Sequence, residues 1–116
     1  MLTISSHTRV FLALGATDMR KSFDTLAAVV REKLGDDPLS GHVFVFCNKG
    51  RNRIKILCFE RGGFWLVARR LERGTFAWPK DEASRVELRA SELAALLDGI
   101  DLAKAKRRRW YERTSA

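Results

Sequence analysis

The sequence contains few of the residues that form disulfide bonds and metal sites, since its 116 residues include only two cysteines and two histidines. Two cysteines are too few for the disulfide framework of a small secreted domain. Cys47 and Cys58 lie in apolar runs and could face each other across a hairpin, but together with His7 and His42 they show no zinc-site spacing. We therefore expect buried, reduced thiols in an intracellular protein, with no metal and no cofactor.

Long apolar runs are also lacking. No stretch approaches the length of a membrane span, and the first residues, 1–7, are polar and unlike a signal peptide. We expect a cytoplasmic protein that makes no use of a membrane.

The carboxylates are few and poorly placed for catalysis. A nuclease needs acidic side chains that converge on a metal, but Asp18 and Asp24 point to different faces of a helix, and Glu60 and Glu72 flank turns beside arginines. No Ser/His/Asp or Cys/His set and no glycine-rich phosphate loop is evident. We expect a protein that is not an enzyme.

Positive charge, by contrast, is abundant and concentrated in two segments. The net charge is +8; residues 49–73 carry eight Lys/Arg against two Glu, and residues 103–116 carry six against one. The rest of the chain is net acidic. Neither basic segment adjoins a long apolar helix face, so the distribution favours a nucleic-acid partner over a membrane surface.

The most informative stretch is 47–56, in which a lysine or arginine occupies every second position from 49 to 55. Alternate residues of a strand share a face, so these cations should lie together and favour an anionic partner, although a charge run can also be a merely solvated surface. Core packing is the favoured role of Trp65 and Trp78, whereas Trp110, in a basic segment, is a candidate for base stacking. The candidate nucleic-acid-binding residues are Lys49, Arg51, Arg53, Lys55, Arg69, Arg70, Arg73, Lys104, Lys106, Arg107, Arg108, Arg109 and Trp110.

The hydrophobic pattern predicts an α+β fold. Apolar residues at three- and four-residue steps predict a long helix over 18–34, capped by Thr17 or Asp18 and ended by Gly35. Alternating apolar runs predict strands, joined over turns rich in Asn and Gly. The predicted strands are 10–14, 43–47, 54–59, 64–71 and 86–88, and a short second helix is predicted over 91–98.

These elements predict a mostly antiparallel sheet (a β-meander) with one long helix packed on it, a short C-terminal helix and a basic tail. Residues 1–102 form the single domain, and residues 103–116 are expected to be flexible because they have no apolar stripe. Period-two alternation divides strand 64–71 into two faces, with Trp65, Val67 and Arg69 on one and Phe64, Leu66, Ala68 and Arg70 on the other.

Several blocks of the sequence resemble one known family. They are Gly15-x-Thr17-Asp18-Met19-Arg20-Lys21-Ser22-Phe23-Asp24-x-Leu26, the run 43–55, Gly63-Phe64-Trp65-Leu66 with 69–79, and Leu97-Asp98-Gly99-Ile100-Asp101. In this order and spacing, over about residues 9–102, the chain is similar to the TnpB-type accessory proteins of the insertion-sequence-66 transposon family. It departs from the family pattern at 67–68 and 89–90.

The resemblance implies a protein encoded beside a larger transposase in a bacterial mobile element and needed for transposition. Together with the charge distribution, it predicts a non-catalytic accessory protein of DNA transposition that binds DNA, the partner transposase or both through its basic surfaces. The alternatives are an adaptor that docks on the transposase without touching DNA, an RNA-binding module and a metal-dependent nuclease. The pattern indicates no particular oligomeric state.

Overall fold

The computed structural model describes residues 7–99, so the expected tail at 103–116 lies outside the described part of the chain. The strands are β1 (Val10–Ala16), β2 (Val43–Cys47), β3 (Arg53–Glu60), β4 (Gly63–Arg70) and β5 (Arg85–Leu88). Helix α1 (Phe23–Val29) continues as a π-helical turn (Val30–Leu34), and helix α2 (Ala90–Leu97) follows β5.

The five strands form one mixed sheet in the order β4-β3-β2-β1-β5. Antiparallel pairing joins β2 to β3, β3 to β4 and β1 to β5, but β1 pairs parallel to β2. The predicted mostly antiparallel meander is therefore wrong. The reason is the helical connection between β1 and β2, because a chain that crosses over through a helix returns to its sheet in the original direction, whereas a short turn reverses it.

The prediction of one long helix is also wrong. The helical segment covers 12 residues and begins at Phe23, because Ser22 has an extended backbone and donates its N–H to the hydroxyl of Thr25 at 2.8 Å. Asp18 belongs to the turn before the helix and does not cap it. Gly35 does end the helix, with the left-handed φ of 68° that glycine adopts at low cost. Within the described residues, no helix has the length and apolar character needed to cross a membrane.

Hydrophobic side chains pack on both faces of the sheet. On one, the α1 face, Phe11, Phe44, Phe46 and Leu57 pack with residues of α1. On the other, the α2 face, alternate residues of β1, β2 and β3 pack with Leu93 and Leu96 of α2 and with the loop that follows β4. Sequence alternation therefore determines which side chains of each strand meet which helix.

Both cysteines are buried and free. The register of β2 and β3 places Cys47 opposite Ile54 and Cys58 opposite Val43, so the two thiols lie toward opposite ends of the hairpin and do not face each other. Burial is the main reason that the pKa of each thiol is raised.

Candidate nucleic-acid interface

The register of β3 and β4 places two arginines side by side on the α1 face. Arg53 is directly opposite Arg70, and Lys55 is opposite Ala68. Side chains directly opposite each other in an antiparallel pair have Cβ atoms about 5 Å apart, and like charges in such positions destabilise the sheet. The folded protein therefore holds positive charges closer together than its own stability favours.

The segment before α1 forms the opposite wall of this site. A cleft of about 260 Å³ is lined by Met19 and by residues of β3 and β4 that include Arg53 and Arg70. A second cleft, of about 460 Å³, lies between residues 17–20 and the β2–β3 turn, where Lys49 lines it. Met19 and Arg53 line both clefts, so the two adjoin. Together they are called the basic groove below.

Two side-chain interactions hold the wall formed by residues 17–21, in addition to the hydrogen bond that the N–H of Thr17 donates to the carbonyl of Cys47 at 2.8 Å. The half-buried Lys55 donates from its Nζ to the backbone carbonyl of Lys21 at 2.6 Å. The carboxylate of Asp18 accepts hydrogen bonds from the backbone N–H of Arg20 at 2.9 Å and from its guanidinium, whose Nη2 lies 2.7 Å away. These hydrogen bonds are the main cause that lowers the pKa of Asp18 to about 2. Asp18, the acidic residue that lines the groove, is thus paired with Arg20 in the same turn.

The candidate nucleic-acid-binding residues of β4 and of the loop that follows it lie in different environments. Arg69 points to the α2 face, where its Nη1 donates to the carbonyl of Leu97 at 2.8 Å, near the end of α2. Arg70 contacts Glu72 through its Nε at 2.9 Å, with both side chains largely exposed. Arg73 is exposed. Arg69 and Arg70 both line the first cleft, but alternation along β4 places the side chain of Arg70, and not that of Arg69, on the α1 face.

Arg51 is placed differently from the other cations of its run. Its backbone is left-handed, with φ of 60°, and its carbonyl accepts a hydrogen bond from the N–H of Phe76 at 2.7 Å. Its Nη1 is buried without a hydrogen-bond partner among the described residues, and its guanidinium lies beside the thiol of Cys47. Arg51 does not line the basic groove. A left-handed φ outside glycine is uncommon and strained, so the turn itself directs this side chain away from its neighbours.

The groove remains electrically positive. Among residues 7–99, no carboxylate forms an ion pair with Lys49, Arg53 or Lys55. The ion pair of Arg70 is exposed, and exposed pairs are strongly screened by water. In the same part of the chain, no group of three or more His, Cys, Asp or Glu side chains is arranged to hold a metal.

The two tryptophans within residues 7–99 lie away from the groove. Trp78 is buried on the α2 face and donates from its indole N–H to the carbonyl of Ala13 at 3.0 Å, as core packing requires. Trp65 is 40% exposed on the same face and donates to Glu60 at 2.8 Å, so the expectation of core packing is wrong for this residue. The candidates at 104, 106–109 and 110 lie outside the described residues.

Sequence reasoning missed the contribution of residues 17–21 to the groove. The helical spacing predicts that Asp18-Met19-Arg20-Lys21 forms the first turn of a helix, with Met19 on its apolar stripe. In the structure Met19 lies before the helix, packs against the hydrophobic cluster of the α1 face and also lines both clefts. The family-like block that begins at Gly15 was the available signal, because it continues through polar residues that a core stripe does not need.

Comparison with known proteins gives a family match over most of the chain. A family model described as IS66 Orf2 like protein matches residues 8–107. That range includes every described residue of the basic groove and of the sheet. No solved structure matches the chain.

Two proteins of Sinorhizobium fredii (strain NBRC 101917 / NGR234) are similar along almost their whole length. The one called uncharacterized protein y4hO is 39% identical over 101 residues, which cover 87% of this chain and 88% of that protein. The one called uncharacterized protein y4jC is 29% identical over 108 residues, which cover 93% of this chain and 92% of that protein.

Proposed function

Because the chain belongs to the IS66 Orf2-like family of transposition-associated accessory proteins, we propose that its basic groove binds the phosphate backbone of DNA. Membership confirms the resemblance drawn from the sequence. The family is not a known enzyme family, and the role proposed for this chain is binding without catalysis.

The observation that supports this proposal most strongly is the pairing of Arg53 with Arg70. The two guanidinium groups start from opposite positions on neighbouring strands, and no carboxylate of residues 7–99 forms an ion pair with Arg53. A phosphate bound between them would turn their mutual repulsion into two charge-assisted contacts, each with the forked geometry that suits phosphate oxygens. The pair thus costs stability in the free protein and would add affinity in a complex.

The contacts proposed for the groove are to the DNA backbone. Lys49, on the exposed β2–β3 turn, and Arg53, at the start of β3, extend the charge along the groove. Backbone contacts of this kind position a protein but carry no sequence information directly. Lys104, Lys106, Arg107, Arg108, Arg109 and Trp110 are proposed to add contacts from the C-terminal segment.

The test is a salt series of duplex binding by fluorescence anisotropy, with two duplexes of unrelated sequence. Each lost phosphate contact lowers the slope of log K against log [salt] by about 0.9. Because Arg53 and Arg70 are proposed to bind one phosphate between them, the double variant Arg53→Gln/Arg70→Gln should flatten the slope by about 0.9 on both duplexes. The matched control Arg31→Gln/Lys80→Gln removes the same charge from two exposed positions outside the groove.

Equal slopes for the two double variants would refute the groove as the binding site. A second measurement separates DNA binding from docking on the transposase, which the same basic surface could also serve. If the groove variant loses binding to the purified transposase but not to DNA, the partner of the groove is an acidic protein surface.

A further inference from the structure

Strand β4 lies at the edge of the sheet and lacks the usual protection of an edge. Its eight residues pair with β3 in an unbroken register, without a bulge, and residues 63–68 include no charged residue and no proline. The opposite edge, β5, has only four residues, two of which are charged, Arg85 and Glu87. Edges that stay monomeric are typically short, charged, bulged or covered. By this criterion β5 is protected and β4 is open.

The backbone of β4 presents a defined set of free hydrogen-bonding groups. Next to the strand, the N–H of Leu71 donates to the carbonyl of Asn52 at 2.8 Å. Backbone groups alternate in direction along an antiparallel strand, so those of Phe64, Leu66 and Ala68 point away from β3. No strand within residues 7–99 pairs with them.

The side chains beside this edge are apolar and exposed. On the α2 face, Trp65 is 40% and Val67 is 41% exposed, and both belong to the small set of large hydrophobic residues that the described structure leaves exposed. On the α1 face, Phe64 and Leu66 are partly buried. An apolar, regular strand with unpaired backbone groups is suited to receive another strand.

We propose that the strand which pairs with this edge is β4 of a second copy of the chain. The two β4 strands run antiparallel and are related by a two-fold axis at Leu66. This register matches apolar residues with apolar residues on both faces of the joined sheet. Its cross-strand pairs are Leu66 with Leu66, Trp65 with Val67, and Phe64 with Ala68. The arginines oppose glycines, Arg69 with Gly63 and Arg70 with Gly62, so no two charges of like sign lie directly opposite each other.

The spacing of charges in this dimer complements DNA, and this part of the argument rests on the proposed function. An antiparallel edge pairing has its two-fold axis perpendicular to the sheet, so both basic grooves open on one face. The two copies of Arg70 lie eight residues apart along the strand direction, about 27 Å at 3.4 Å per residue. The two copies of Arg53 have the same separation along the strands and are also three strand spacings apart across the sheet, so the distance between them is about 30 Å. One turn of duplex is about 34 Å, so both grooves would reach the backbone of one DNA segment.

The edge alone is a small interface. A standard stable interface uses about 20–30 residues from each partner, whereas β4 offers eight. Association should therefore be weak in the free protein and strong when one duplex holds both copies, because a shared ligand raises their effective concentration.

Disulfide trapping tests the register. Two full-length variants, Trp65→Cys and Val67→Cys, each also carry Cys58→Ala, because Cys58 lies directly opposite residue 65 and could form a disulfide with it within one chain. They are mixed under mild oxidation with and without duplex DNA of about two turns. We expect a cross-linked dimer in the mixture, faster with DNA, and little in either variant alone. The Cys58→Ala chain without an added cysteine, whose remaining thiol at Cys47 is buried, is the control. No cross-link in any sample would overturn the proposal, as would faster cross-linking of one variant alone than of the mixture.

A second pair of variants tests the consequence for DNA. Trp65→Lys/Val67→Lys places like charges directly opposite each other in the dimer, whereas Trp65→Thr/Val67→Thr keeps uncharged strand-forming residues. Native mass spectrometry should find two copies per short duplex for the wild type and the threonine variant, and one for the lysine variant. The added lysines strengthen electrostatic attraction to DNA, so a lost second copy would not reflect weaker DNA binding.

If two copies of the lysine variant still bind one short duplex, the proposed dimer is wrong, while the proposal that the groove binds DNA still stands. Cross-linking of the cysteine mixture without any salt-dependent DNA binding would support the dimer and refute the proposed function.

Discussion

Replacing Arg53 with glutamine should make the protein more stable while weakening its binding to DNA. The guanidinium of Arg53 faces Arg70 across the β3–β4 pair and forms no ion pair with a carboxylate of residues 7–99. The substitution therefore removes repulsion without breaking an ion pair. Glutamine keeps most of the aliphatic length of the side chain, and the hydrogen bond from the backbone N–H of residue 53 to Asn48 at 3.0 Å does not depend on it.

The size of the effect follows from the geometry. Cross-strand pairs contribute about 0.2–1 kcal/mol, with like charges directly opposite being destabilising, so relief of the repulsion should raise the free energy of unfolding by a similar amount. For a domain of this size, that corresponds to a rise in Tm of about 1–6 °C. The gain should shrink at high salt, because the screening length falls from about 10 Å at 0.1 M to about 3 Å at 1 M.

Urea denaturation at two salt concentrations measures this change, and Arg31→Gln is the control because it removes an exposed positive charge outside the groove. Duplex binding is measured on the same samples. A variant less stable than the Arg31→Gln control would show that Arg53 stabilises the free fold. The argument that the arginine pair is kept for an anionic partner would then fail.

Two further predictions concern the wall formed by residues 17–21. Lys55→Met leaves the carbonyl of Lys21 without its charged donor, so the free energy of unfolding in urea should fall by about 1–3 kcal/mol; an unchanged value would show that this contact does not hold the wall. The pKa of Asp18 is about 2 because of Arg20, below its ordinary 3.8, so the stability that this carboxylate contributes is fully present above about pH 4 and is lost as the pH falls toward about 2. The stability difference between the wild type and Asp18→Asn should follow that window, and a constant difference from pH 5 to pH 2 would contradict it.

Much of the local structure follows from sequence patterns. Alternation assigned the side chains of β4 to the faces on which the structure places them, because successive side chains of a strand must point in opposite directions. The hairpin of β2 and β3, the short strand β5, the helix end at Gly35 and the second helix lie within one residue of their predicted bounds, for the same kind of local reason. Family membership also follows from the sequence, since its motifs occur in a fixed order and spacing.

The partners of these elements were not predictable from local patterns. The sequence placed Arg69 and Arg70 on opposite faces, but only packing decided that Arg69 would meet the end of α2 and Arg70 would stand beside Arg53. Likewise, the helical spacing of the apolar residues included Met19 and therefore did not indicate that residues 17–21 lie before the helix and form the groove wall.

The sequence by itself thus determined the family, the uneven charge and the direction of individual side chains, because these depend on composition and on the repeat of a helix or strand. The tertiary structure alone decided the parallel pairing of β1 with β2, the open edge at β4 and the meeting of Arg53 with Arg70. The physical reason is that these features depend on contacts between residues distant in the sequence, whose register is set by the packing of the whole core.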